Sequence, residues 1–109
     1  MITCKISEIN NYTVATILIA EANLDHSAKF KEQLIKLIDE GKQKIVVSFD
    51  LVTYVDSSFL GALVAALKHA IANDAEIIVA CLNKDVEDLF KLIRLDKVFT
   101  IIPNLIALA

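Results

Sequence analysis

The sequence predicts one α/β domain over residues 1–109, with a central mixed, mostly parallel β-sheet flanked by helices. Three observations carry that expectation. Apolar runs of strand length alternate with stretches of helical periodicity in the order ββαβαβαβα, and such alternation implies right-handed crossovers between parallel strands. Residues 45–51 are nearly continuously apolar, as a central strand covered on both faces is. Hydrophobic residues make up 56% of the chain against 23% charged, a balance that suits doubly covered strands in a chain of this size.

Taken in order, residues 2–9 alternate around Ile2, Cys4, Ile6 and Ile9, the pattern of a half-buried strand. Asn10-Asn11 is a turn signal and residues 12–20 are rich in β-branched side chains, so the chain should open with a hairpin. A helix follows Leu24, with Asp25 and Ser27 competing for its N-cap. Its inward stripe is Phe30, Leu34, Leu37 and Ile38, and Gly41 stands where a glycine just past a helix end belongs. The central strand, a turn at 52–55 and a second helix ending near Asn73-Asp74 come next. Residues 76–82 read as another buried strand. Asn83 then caps a third helix whose Val86, Leu89, Phe90 and Ile93 face inward. Residues 98–102 make a short last strand, and Pro103 suits the first turn of a terminal helix over 104–109.

Composition removes several kinds of function. The net charge is −3 with no basic run, so no direct nucleic-acid partner is expected. Residues 1–10 lack the apolar core of a signal peptide, and no apolar stretch reaches the roughly 18 residues of a membrane span. Cys4 and Cys81 show no CxxC spacing and read as small buried residues in a reducing compartment; a disulfide would need their strands to be neighbours. With only two glycines, Gly41 and Gly61, neither GxGxxG nor a Walker loop can be written, so no cofactor is expected. His26 and His69 lack ligand spacing with the cysteines, so no metal is expected. Ser58 and His69 lie about 16 Å apart along one helix, which excludes a triad with Asp56.

The chemistry gathers at Asp56-Ser57-Ser58, where a strand and a short turn lead into the second helix. A helix N-terminus offers free N–H groups and a positive dipole end to an anionic group. At about 100° per residue, Leu60, Leu63, Val64, Leu67 and Ile71 form a core stripe, and Ser58, Ala62, Ala65, Ala66 and His69 fall opposite. That second face is small rather than charged. It reads either as a partner-docking surface or as a face covered by another part of the chain. Asp56 is placed to cap the helix by accepting from the N–H of Ser58 or Phe59, and its carboxylate can also orient a hydroxyl. Ser58 points outward and Ser57 towards the core edge, which makes Ser58 the better phosphoryl acceptor and Ser57 the second choice. Phe59 sits at the flank of the stripe, as a wedge in the core or as an aromatic anchor for a partner.

The run FDLVTYVDSSFLGALVAALKHA resembles the signature of STAS domains, the anti-sigma factor antagonist family. In that signature an apolar strand and a short link precede Asp-Ser-Ser/Thr-Gly-Leu-Gly at a helix start. Asp56, Ser57, Ser58, Leu60 and Gly61 match, and Phe59 replaces the usual glycine. The resemblance extends more loosely over nearly the whole chain. It implies a single cytoplasmic STAS domain, not itself an enzyme, in bacterial signalling. Its partners would be an anti-sigma factor that is also a serine kinase, and a serine phosphatase. Phosphorylation of Ser58, supported by Asp56, would end docking through Phe59, Ala62, Ala65, Ala66 and His69 and so regulate transcription. The bulk of Phe59 beside the acceptor would hinder the kinase. The chain would be a monomer or weak dimer. The other reading is a docking subunit of a membrane transporter or signalling assembly in which nothing is phosphorylated.

Overall fold

In the computed structural model, which describes residues 3–108, the apolar runs become strands β1 (Cys4–Ile9), β2 (Tyr12–Ile17), β4 (Lys44–Ser48), β6 (Glu76–Ala80) and β7 (Thr100–Ile102). They form one sheet in the order β1-β2-β4-β6-β7. β1 and β2 are the expected antiparallel hairpin, turning at Asn10, whose positive φ a short amide side chain tolerates. The remaining pairs are parallel, in a register that aligns Val14 with Val46 and Val46 with Ile78. Two short strands, β3 (Glu21–Ala22) and β5 (Tyr54–Val55), pair in parallel as a separate ribbon and were not expected. Ile2 and Ala109, assigned above to the first strand and the terminal helix, lie outside the described residues.

Three α-helices, α1 (Leu24–Asp39), α2 (Ser57–Ala72) and α3 (Lys84–Leu92), follow β3, β5 and β6. All three pack on one face of the sheet. Phe30 and Leu34 of α1, Leu63 of α2 and Phe90 of α3 close over Ala15, Val47 and Val79 in one core. The alternate residues of the same strands, Val14, Val46, Ile78 and Ala80, form a second core on the other face, covered by Leu108. That residue belongs to a 3-10 turn, Leu105–Leu108, where an α-helix was expected. Asn104 starts the turn, its side chain accepting from the N–H of Ile106. A second 3-10 turn, Leu95–Lys97, shortens the last strand at its start.

Helix ends follow local chemistry. α1 closes on Gly41 at φ +94, with Gly41 N–H donating to Ile38 O at 3.0 Å and Lys42 N–H to Leu37 O at 3.1 Å, a Schellman end. Its N-cap is Asn23, not Asp25 or Ser27. Asn23 has the extended backbone a cap needs and accepts from Asp25 N–H at 3.0 Å, whereas the Ser27 hydroxyl already donates to Leu24 O. Asn83 caps α3 as expected, accepting from Val86 N–H at 2.8 Å.

Cys4 and Cys81 are both free. Two whole strands, β2 and β4, lie between β1 and the end of β6, roughly 14 Å at the usual strand spacing, too far for a disulfide.

Candidate functional site

All three helices begin at the end of the sheet where β4 and β6 finish, and the turn at 49–56 ties them together. Phe49 N–H still donates to Ala80 O at 2.9 Å, and Val52 N–H turns back to Phe49 O at 3.0 Å. Thr53 and Tyr54 N–H both reach Ala20 O, and Asp56 N–H reaches Ala22 O at 3.1 Å. On the far side, the Asn83 amide that caps α3 also donates to Val52 O at 3.1 Å.

Asp56 is the hinge of the arrangement. Its Oδ1 accepts from Phe59 N–H at 2.9 Å, the expected cap of α2. Its Oδ2 accepts from Leu24 N–H at 2.9 Å, the first amide of α1. One carboxylate thus satisfies orphan donors of two helices and fixes their N-termini side by side, where both dipoles favour negative charge. The sequence pattern could not show this second bond, because it joins residues 32 apart. The role of Asn23 was local and readable: Asn before a helix with Asp in its first turn is itself a cap signal, passed over in favour of Asp25 and Ser27.

Ser57 and Ser58 both lie exposed on the first turn of α2, and among the described residues neither hydroxyl has a hydrogen-bond partner. Ser57 does not turn into the core; it borders a groove described below, so exposure does not separate the two hydroxyls.

The expected docking face is largely covered. Phe59 is 0% exposed, its ring stacked on Phe30 of α1 with centroids 4.2 Å apart. Ala62 and Ala66 are buried in the same core. Small residues there let α1 approach α2 closely, which is the physical meaning of the stripe; these three side chains have no surface to offer a partner. A ring enclosed in this way also does not stand over the serines as a barrier. His69 is half-buried and pairs with Asp39 of α1 at 2.7 Å, a second tie between the helices. Ala65 is half-buried too and lies at the meeting of two clefts. One, bounded by Ser27, Ala28 and Lys31, runs between α1 and α2. The other, about 340 Å³, runs between α2 and the end of α3, lined by Leu60, Val64, Lys68, Ile93 and Leu95. Ile71, placed in the core by its phase, is 65% exposed because the covered side of α2 turns towards α1 and not further round the sheet. Among the described residues no group of three or more His, Cys, Asp or Glu side chains is placed to hold a metal ion. In the same residues no helix is long and apolar enough to cross a membrane.

A family model described as STAS domain matches residues 8–107. Solved structures share the fold. An anti-sigma-factor antagonist (STAS) domain protein from Planctomyces limnophilus superposes with a TM-score of 0.84 at 13% identity, over 100% of this chain and 99% of that one. The Bacillus cell fate determinant SpoIIAA in its phosphorylated form gives a TM-score of 0.71 at 15% identity, over 95% of each chain. The murine anion transporter Slc26a9, in the inward-facing state, gives 0.74 at 15% identity over 90% of this chain and 17% of its own. At these identities the likeness to solved structures is one of fold.

Proposed function

The chain belongs to the STAS domain family, and from that membership we propose that it is a cytoplasmic anti-sigma factor antagonist, docking through α2 on an anti-sigma factor with serine kinase activity and released when Ser58 is phosphorylated. The observation that carries the reading is a pair of exposed, unpartnered hydroxyls on the first turn of α2, behind a carboxylate that already serves as its cap. A helix start of this kind accommodates a new phosphate within the chain through free N–H groups and the dipole. A phosphate adds about −1.5 to −2 charges, which a docked partner surface would have to desolvate. One of the solved structures with this fold is a phosphorylated form. A serine phosphatase would restore docking, and the sigma factor freed during docking would direct transcription. The catalysis in this cycle belongs to the kinase and the phosphatase.

Intact-mass spectrometry after incubation with the cognate kinase and ATP tests the switch. The expected result is a gain of one phosphoryl group that Ser58→Ala abolishes and Ser57→Ala leaves. A gain lost only in Ser57→Ala moves the acceptor to Ser57, and no gain in the parent chain ends the phosphorylation reading. A second reading is favoured by the fold's presence in an anion transporter: a docking subunit of a membrane assembly that uses the same face of α2 without modification. A stable complex with a transporter component, together with no mass gain, selects it.

A further inference from the structure

The groove between α2 and α3 differs from the rest of the surface in both its polarity and its charge. One wall is formed by Leu60, Val64 and Lys68, about one turn apart along α2, and the other by Ile93 and Leu95 at the end of α3. Ile71 of α2 and Leu92 of α3 are also exposed, at 65% and 79%. Lys68 is the one charged residue among those lining it. Arg94, between the two residues of the far wall, is exposed. Among the described residues neither Lys68 nor Arg94 is in a salt bridge. In a chain of net charge −3, the one charged residue lining this groove is thus a cation outside any salt bridge.

The backbone at Arg94 is a second, separate observation. Residues just past the three helices all adopt positive φ: Gly41 at 94°, Asp74 at 58° and Arg94 at 64°. Glycine is at ease there and aspartate tolerates it, but a long side chain is strained. Arginine is held where glycine would fold better, in the chain between Ile93 and Leu95 of the groove's far wall.

We infer that this groove receives an amphipathic helix of a protein partner whose apolar stripe is flanked by carboxylates. An apolar stripe at i, i+3, i+4 and i+7 fits a helix-lined groove, and carboxylates on its flanks meet Lys68 and Arg94. The inference rests on the reading of α2 as a docking helix and names the chemistry of what docks. It also gives the switch a direction: a phosphate on Ser58, next in sequence to the Ser57 that borders the groove, would add negative charge near an acidic partner.

Two synthetic helical peptides with one leucine stripe, flanked by glutamate in one and by lysine in the other, test it against the ¹⁵N-labelled full chain. The glutamate peptide should shift the amides of Gly61, Val64 and Ile93 and bind about tenfold more tightly than the lysine peptide at low salt, with the gap narrowing as salt is added. Lys68→Glu should reverse the preference. Arg94→Gly should raise the melting temperature yet weaken binding of the glutamate peptide severalfold, a combination that a merely structural arginine would not give. Equal affinities, no binding of either peptide, or shifts confined to other surfaces would overturn the inference. Phosphoryl transfer to Ser58 is read separately by mass, so a chain that is phosphorylated but indifferent to peptide charge sinks this inference alone.

Discussion

Phe59 stands beside two exposed serines, yet its ring is enclosed against Phe30. The usual glycine of the family's signature would leave that volume empty here, so the aromatic residue belongs to the α1–α2 core and not to the acceptor site. Phe59→Ala should cost about 3–5 kcal/mol through lost burial and an unfilled cavity, measured as a lowered urea midpoint at constant slope. A midpoint near the parent's would place the ring outside the core. The same fact limits substitutions on this face: Ala62→Glu would drive a charge between two helices, whereas Ala65 has open clefts beside it. Cys4 gives a pH-dependent counterpart. Burial pushes its thiol from 9.0 to about 11, with the Thr3 hydroxyl opposing slightly. The folded state holds the proton more tightly than the unfolded chain does. The stabilisation is therefore fully present below pH 9.0 and is lost as pH rises towards about 11. Cys4→Ala should flatten that alkaline decline in a denaturant series. A decline of unchanged steepness would assign it to other groups.

Among the elements, α1 and α3 were legible because each has one wet and one dry face, so spacing alone names Phe30, Leu34, Val86 and Phe90. α2 was legible as a helix but not in its facing. It is apolar on nearly every side, being wedged between the sheet and α1, and a helix of that kind gives no phase signal to distinguish a covered face from an exposed one. The expected core therefore wrongly included Ile71 and left out Ala66. The β3–β5 ribbon was missed for another reason: two-residue strands carry no periodicity, and their pairing depends on a contact between segments over 30 residues apart. The cap at Asp56 was readable because capping is local, and its bond to α1 was not. Gly61 makes the remaining cost of α2 measurable. A Cβ built there meets no atom within 4 Å, so nothing among the described residues requires glycine. Gly61→Ala should stabilise the fold by about 1 kcal/mol through helix propensity, raising the melting temperature by roughly 3–5 °C. If docking brings a partner backbone against this turn, the same variant binds less well; a variant that gains no stability would point to strain that the open space does not show.

At the scale of the molecule, the sheet is covered unequally. Three helices close one face; among the described residues the other is covered by a 3-10 turn that brings Leu108, with Leu105 beside it, over Val14, Val46, Ile78 and Ala80. The apolar run of β4 made a doubly covered sheet legible, but nothing in the sequence said that the second cover would be so slight. After Pro103 the described chain takes 3-10 geometry at Leu105–Leu108 and not the α-helix expected. Among the described residues this turn is held by the buried Leu108, by the partly buried Leu105 and by a hydrogen bond from the Asn10 amide in the hairpin turn to the Leu108 carbonyl. The hairpin turn and the terminal 3-10 turn are thereby joined on the face away from the serines. Leu108→Ala should uncover part of the second core and cost about 2 kcal/mol, at the low end for a leucine because the turn can settle inward. Amide exchange in β2 and β4 should quicken on the variant, since their side chains Val14 and Val46 lose their cover, while the amides of α2 change only with the global stability. Docking through α2 should persist, because the altered face lies across the sheet from it. An unchanged unfolding midpoint would mean that the terminal turn does not cover this face in solution, and loss of docking would mean that the two faces of the sheet are coupled.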